Sequence, residues 1–354
     1  MNNGDEKYTA HETKKSVDKK KPVSKKKVVI IVLSVIAALI LILFLTGFLV
    51  LNGFLNRINK IDGNIEVIPP SQEDFETDEA NIITDNDLQK LDPSNIYWPE
   101  LEPLMDDDLI NILLVGQDRR AGQGRQRSDS MILCSINPDT MEVSMVSFLR
   151  DLYVDFPGDY SDNRLNAAYA FGGFPLLIET LNLNFGVTID GCFEVDFFGF
   201  MDIIDMLGGV DIELTEAEAR YMNNGTVAGM NHLNGRQALS YAQIRYIDSD
   251  FYRTGRQRAI LTAVFNKIKG LGTTELIDLV DSMLPYLSTT MTNSQIMGLI
   301  LQLGPKLSSV KLSSYHVPPT DAYQSAMIRG MAVLVPDLVR IREYLKYEYL
   351  PLNN

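Results

Sequence analysis

Histidine is scarce in this chain of 354 residues: there are three, His11, His232 and His316, and the first lies in a lysine-rich tail. That excludes a multi-histidine zinc centre and argues against a histidine-based hydrolytic triad. Two cysteines, Cys134 and Cys192, are too few for a disulfide scaffold. They fall in strand-like runs and read as buried free thiols, with a bridge as the alternative. Lysine is absent between Arg119 and Arg258, where all twelve cationic side chains are arginine. Positive charge is short overall, with 32 Lys and Arg against 46 Asp and Glu and a net charge of −14. No nucleic acid partner is expected from general basicity. An apolar content of 45% excludes a wholly disordered chain.

What is present is unevenly placed. Residues 1–27 hold nine lysines and four acidic residues, and 28–52 hold no charge at all. Residues 28–51 read VVIIVLSVIAALILILFLTGFLVL. As a helix this run rises about 36 Å, enough to cross a hydrocarbon core of ~30 Å with some tilt. It is longer than the apolar region of a cleaved signal peptide and has no small-x-small site after it, so it reads as an uncleaved transmembrane helix. Eight lysines precede it closely, whereas Arg57 and Lys60 follow it. The positive-inside rule then places 1–27 in the cytoplasm and the bulk of the chain outside the cell. Anionic lipid or nucleic acid are alternative partners for the tail, though topology alone explains it. Residues 52–104 include PPSQEDFETDE and read as an extracellular stalk, with room for a short element between Asn56 and Ile68. Residues 105–354 read as the globular domain.

Within that domain INILLV (110–115) is a buried-strand run. MILCSI (131–136) and MEVSMVSF (141–148) flank Asn-Pro-Asp-Thr and read as a hairpin. Strands are expected at 152–156, 192–195 and 210–214. Helices are expected at 166–171, 175–184 with Gly186 as a stop, 197–207, 234–245, 254–269, 274–287, 293–303 and 336–348. Thr215 with Glu218, and Thr254 with Gln257, match capping boxes. Strands interleaved with helices, plus one hairpin, predict an α/β fold, an α-β-α sandwich with a mixed central sheet.

The arginines carry the chemistry. A guanidinium grips phosphate or carboxylate as a planar fork, so an all-arginine stretch in an acidic domain points to a bound anion; surface pairing with the many carboxylates is the alternative. GQDRRAGQGRQRSDS (116–130) follows a buried strand and places Asp118, Arg119, Arg127 and Asp129 on a glycine-rich loop. Two such carboxylates suit a hard cation shared with substrate phosphates, while Asp in a glycine-rich loop is also an ordinary turn residue. On helix 254–269 the stripe Ile260, Leu261, Val264, Phe265 and Ile268 continues back through Gln257, with Arg253 near its edge. Those polar groups therefore point into the protein, either at an anion near the helix N-terminus or at Asp248 or Asp250 in a salt bridge.

Four stretches in order make the chain resemble the LytR–CpsA–Psr family of the Gram-positive cell surface. They are GQDRRAGQGRQRSDS (116–130), SFLRD (147–151), RLNAAYAFGG (164–173) and ALSYAQIRYIDSDFYRTGRQRAIL (238–261). The resemblance implies a phosphotransferase that moves a glycopolymer from an undecaprenyl-pyrophosphate carrier to peptidoglycan, with the prenyl chain in a hydrophobic tunnel. It implies that Asp118 and Asp129 hold Mg²⁺ and act in catalysis with Arg150, Arg245 and Arg253. Arg119, Arg127, Arg150, Gln243, Arg245, Arg253, Arg256 and Gln257 would surround the pyrophosphate, with Asp250 in support. Asn166 and Tyr169 fit the third motif, and Asn166 reads as a helix cap.

Two departures from the family pattern stand out. Gln243 replaces the first arginine of an expected Arg-x-Arg, which removes one charge from the site. Phe148-Leu149 replaces Ile-Pro before Arg150, which is expected to loosen that loop. The implied partners are a polyprenyl-pyrophosphate-linked glycopolymer, peptidoglycan and membrane lipid, and the implied location is the cell membrane. A non-catalytic receptor for prenyl-pyrophosphate glycans and a lipid pyrophosphatase are the competing readings.

Overall fold

A computed structural model describes residues 49, 52–61, 88–104, 108–117, 119 and 124–352. The basic tail, the apolar run at 28–51 apart from Leu49, most of the acidic segment and Asp118 lie outside the described residues. Among the described residues no helix is long and apolar enough to cross a membrane.

In chain order the strands are β1 (Asn59–Lys60), β2 (Ile110–Gln117), β3 (Ser128–Ile136), β4 (Glu142–Phe148), β5 (Tyr153–Val154), β6 (Asn163–Arg164) and β7 (Gly191–Asp196). They continue as β8 (Val210–Leu214), β9 (Gly229–Leu233), β10 (Ser288–Thr289), β11 (Lys311–Val317), β12 (Tyr323–Ile328) and β13 (Met331–Pro336). The α-helices are α1 (Leu165–Phe185), α2 (Phe197–Met206), α3 (Glu216–Met222), α4 (Gly235–Ala242), α5 (Asp250–Lys269), α6 (Thr273–Met283), α7 (Asn293–Leu303) and α8 (Leu338–Tyr344).

Seven strands form the central sheet in the order β1-β10-β7-β2-β3-β4-β11. Its pairings are mixed: β7/β2 and β4/β11 are parallel, and β2/β3 and β3/β4 antiparallel. The β3/β4 hairpin turns where Asn-Pro-Asp-Thr predicts it. Asn137 Oδ1 accepts the backbone N–H groups of Asp139 and Thr140 at 3.0 and 3.1 Å, a side-chain mimic of a turn. Alternation sends Leu113, Val115, Met131, Leu133, Val146 and Phe148 to one face, where α1 and α8 cover them. The opposite face carries Leu114 and Ile132 and lies under α2, α4 and α5.

Local signals set the helix ends. Gly186 closes α1 at φ 73°, a left-handed position that glycine takes without strain. Inside α1, Gly173 (φ 60°) breaks the helix just before Pro175, which gives the two helical pieces the sequence predicts. Thr215 and Glu218 form the expected capping box of α3.

Several expectations are corrected. Helix α5 begins at Asp250, not Thr254; Thr254 is buried and its hydroxyl donates back to the Phe251 carbonyl, so it caps nothing. Asn166 lies in the first turn of α1, and the cap position is Arg164. The described parts of 52–104 belong to the domain rather than to a free stalk. β1 extends the sheet beside β10, with Leu55 and Ile58 buried, and Leu91, Ile96 and Trp98 pack on the β12/β13 hairpin. Both cysteines are free, and burial raises each thiol to about 12. His232 bonds Asp211 and the Gly208 carbonyl, and His316 the Pro318 carbonyl; neither joins a catalytic cluster.

Candidate anion site

Strand β3, the turn after β4, the loop after α4 and the first turn of α5 converge on Asp129. Its Oδ1 accepts from Arg150 Nη1 at 2.9 Å and Arg245 Nη2 at 3.2 Å, and Arg253 Nη1 lies 3.8 Å away. A second tier fixes the arginines. Arg253 donates to Asp250 Oδ2 at 3.0 Å, and Arg164 to Asp151 Oδ1 at 3.4 Å. Arg150 Nε lies 3.6 Å from Asp151 and 3.9 Å from Asp250. Among the described residues of this inner group, four guanidiniums, of Arg150, Arg164, Arg245 and Arg253, lie near three carboxylates, of Asp129, Asp151 and Asp250.

The charges are not evenly compensated. Burial acts to lower the Arg150 pKa, but Asp151, Asp250 and Asp129 together outweigh it and hold it above the ordinary range. Arg253, 2% exposed, goes the other way. Burial lowers it, the Asp250 charge opposes that, and Arg150 and Arg245 push it down further. A buried guanidinium crowded by two others gains most from an added anion.

The described residues on either side of 120–123 are tied to the sheet and to α1. The Gln117 side chain donates to Glu194 and accepts the Gln126 N–H at 3.0 Å, which closes the neck of the loop. Glu194 is buried and also accepts from the Tyr169 hydroxyl. Arg119 lies 3.5 Å from both Glu194 and Asp196. Arg125 donates to the Ala170 and Phe171 carbonyls at 2.9 and 2.8 Å, just before the Gly173 break leaves α1 without helical partners for them.

Of the predicted site residues, Asp129, Arg150, Arg245 and Arg253 meet directly. Arg127 stands half-buried two residues before Asp129. Gln243 and Gln257 line the same small mouth as Asp129, Arg245 and Arg253. Arg119 is held at the Glu194 side, and Asp118 lies outside the described residues. Arg256 is a correction. Its guanidinium donates to Glu218 at 2.7 Å, to the Ile244 carbonyl at 3.1 Å and to both oxygens of Asp248, so it braces the 243–249 loop instead of facing an anion. The loop at Phe148-Leu149 is not loosened. Both side chains are buried, and the Leu149 N–H, which proline would lack, donates to the Val317 carbonyl at 2.9 Å. Glu194 and Gln117 escape the sequence reading because a polar residue in strand alternation looks like an outward one. Their inward partner Tyr169 is far away in sequence.

The mouth, of ≈ 50 Å³, adjoins an apolar cavity of ≈ 240 Å³ between the sheet and helices α2, α4 and α5. Gly116, Ser130, Phe197, Leu239, Ala242 and Gln257 line both. Leu114, Ile132, Ile203, Ile260, Leu261 and Val264 wall the deeper part. An arginine-lined mouth beside an apolar cavity is the arrangement that an amphiphilic anion would fit. The chain belongs to the LytR_cpsA_psr family, whose model matches residues 71–346.

The polyisoprenyl-teichoic acid–peptidoglycan teichoic acid transferase TagU of Bacillus cereus is 39% identical over 160 residues, 45% of this chain and 52% of that protein. The chain thus spans about half the length of such curated relatives. The regulatory protein MsrR of Staphylococcus aureus is 31% identical over 226 residues, 63% of this chain and 68% of that protein. Among solved structures, TagT (YwtF) of Bacillus subtilis with bound octaprenyl pyrophosphate lipid shares the fold at a TM-score of 0.53 and 21% identity, covering 72% of this chain and 97% of that one.

Proposed function

We propose that the protein is a membrane-anchored phosphotransferase that attaches a glycopolymer, carried on a polyprenyl pyrophosphate, to peptidoglycan. The arginine mouth, sharing six lining residues with the apolar cavity, carries this reading, because the pair matches a ligand with a pyrophosphate head and a hydrocarbon tail. The names of TagU and of the lipid-bound TagT structure support it. In this reading residues 28–51 cross the membrane once, 1–27 are cytoplasmic and the catalytic domain is extracellular.

Arg253 and Arg245 grip the pyrophosphate, and Arg150 backs them through Asp129. Charge-assisted bonds of this kind contribute about 1.5–3 kcal/mol each, and the neutral Gln243 amide contributes less than the arginine it replaces. An acceptor hydroxyl of peptidoglycan attacks the sugar-side phosphorus. A new O–P bond forms, the bridging P–O bond breaks, and prenyl phosphate departs with its charge held by the arginines. The hydroxyl proton passes to a carboxylate of the mouth, for which Asp129 is the nearest candidate.

Among the described residues no three acidic, histidine or cysteine side chains group to hold a metal. Asp129 still fits a hard cation, because its three arginine contacts all fall on Oδ1 and leave Oδ2 as the face a cation would take. With Asp118 it would hold Mg²⁺, which when bound neutralises pyrophosphate charge. The test is incubation of the full chain with Mg²⁺, a prenyl-pyrophosphate-linked oligosaccharide and peptidoglycan oligomers, with products read by mass spectrometry. A phosphodiester-linked adduct lost in Asp129→Ala is the expected result. Release of prenyl phosphate without an adduct points to hydrolysis, and tight binding without turnover to a receptor.

A further inference from the structure

We infer that Tyr246, backed by Tyr221, is a stacking platform for a sugar ring of the glycan that leaves the arginine mouth on its outer side. This platform rests on the proposed function, in which the glycan hangs from the pyrophosphate.

The mouth has an inner and an outer side. Six residues line mouth and apolar cavity alike, whereas Asp129, Gln243, Arg245 and Arg253 line the mouth alone. A ligand whose tail fills the cavity sends its other end past this second set. The first sugar is joined to the pyrophosphate through one oxygen, so it leaves the mouth beside these residues. Arg245 turns inward to Asp129 at 3.2 Å. Tyr246 follows it directly, with the two Cα atoms about 3.8 Å apart, and turns outward.

A single exposed tyrosine is ordinary surface. Tyr246 is not single. Its ring stacks on that of Tyr221 in α3, with centroids 6.4 Å apart and planes 29° from parallel. The two rings come from segments that buried Arg256 ties together. Its guanidinium donates to Glu218 of α3 at 2.7 Å, three positions before Tyr221. It also holds the chain on both sides of Tyr246, at the Ile244 carbonyl and at Asp248 Oδ1, each 3.1 Å away. A buried ion pair of this kind adds little net stability, and what it fixes here is the position of the two rings. The pair still keeps a free aromatic surface, since Tyr221 is 40% and Tyr246 72% exposed. A pyranose ring has apolar C–H faces and a rim of hydroxyls, and tyrosine matches it with an apolar face and a polar tip. A ring with only two side-chain torsions, already held in place, loses little entropy on binding.

The test is titration calorimetry on the full chain with two probes, a short prenyl pyrophosphate and the same lipid carrying a disaccharide on its terminal phosphate. Tyr246→Ala, Tyr246→Phe and Tyr221→Ala are compared with the parent. The expected result is that the parent binds the sugar-bearing lipid at least fivefold more tightly than the bare one. Tyr246→Ala loses that gain, Tyr246→Phe keeps most of it and Tyr221→Ala loses part, with bare-lipid affinity unchanged throughout. Equal binding of both probes by the parent overturns the platform and leaves the proposed function standing. A Tyr246→Ala chain that binds both probes more weakly by the same factor also overturns it, because the tyrosine then acts through Arg245. An unchanged disaccharide gain in Tyr246→Ala, with a raised KM for peptidoglycan oligomers, overturns it by moving the tyrosines to the acceptor. A parent chain that binds neither probe overturns the proposed function and the platform with it.

Discussion

Replacing Asp129 by asparagine separates two roles that a loss of activity would merge. In the free protein Asp129 is the negative hub of Arg150, Arg245 and Arg253, with contacts of 2.9, 3.2 and 3.8 Å. An anion gripped from the far side of Arg245 and Arg253 lies about 7 Å from that hub. At an effective dielectric of ~20, a carboxylate there repels each phosphate charge by roughly 2.4 kcal/mol. Asparagine keeps an acceptor but removes the charge, and looser orientation of the arginines takes back about 1 kcal/mol. Counting only the phosphate charge nearest the hub, the net is about 1.4 kcal/mol, or tenfold tighter binding as the smallest expected gain. In chelator-treated buffer, Asp129→Asn therefore binds a short prenyl pyrophosphate at least about tenfold more tightly than the parent by titration calorimetry, while transfer is lost. With Mg²⁺ added, the parent gains affinity and the variant does not. Weaker metal-free binding by a variant that still melts cooperatively would refute the account of Asp129 as a charge that restrains the arginines.

Other perturbations probe the frame. Glu218→Ala removes the Arg256 Nε partner and half of the α3 capping box, so it costs about 3 kcal/mol and lowers Tm by roughly 6 °C; an unchanged melting curve would show that Asp248 alone suffices. Gln243→Arg adds a charge at an exposed position on the mouth, so it tightens prenyl-pyrophosphate binding severalfold and leaves Tm unchanged; weaker binding would mean the site is shaped around the amide. With thiols raised to about 12, Cys134 and Cys192 hold about a ten-thousandth of their population as thiolate at pH 8. Buried Cys192 should label with thiol reagents only after denaturation and half-buried Cys134 only slowly before it; rapid labelling of Cys192 in the folded chain would contradict its burial.

Much of this architecture was legible in local signals. The β3/β4 turn, the Gly186 stop, the break at Gly173 and the Thr215–Glu218 box each follow from a few neighbouring residues. So does the convergence of arginines, because a lysine-free stretch selects planar forks over solubility. What failed was non-local. Thr254 with Gln257 spells a helix start, but the chain already turns helical at Asp250, where Arg253 reaches back to its carboxylate across one turn. Two-residue strands such as β1 and β10 carry no periodicity, so a pairing 229 residues apart leaves no trace in either segment. The β12/β13 hairpin did carry a signal, Arg329-Gly330 between alternating runs, with φ of 50° and 81° at the two turn residues. Arg256 shows how a motif misleads: its neighbour Arg253 faces the site, and one position further round the helix Glu218 and Asp248 claim the side chain.

If the proposed function holds, the size of the apolar cavity bears on which part of a carrier lipid the protein would sense. A void of roughly 150 Å³ is enough for one benzene, so ≈ 240 Å³ accommodates only the opening isoprene units of a long tail. In the proposed reaction the remaining hydrocarbon would stay in the bilayer while the head reacts. Discrimination between carriers then falls on the geometry of the first double bonds beside the pyrophosphate, and total chain length goes unread. Truncated lipids of two or three isoprene units should fill the pocket as completely as the native carrier, and would differ from it in how the substrate is delivered, not in how it is held.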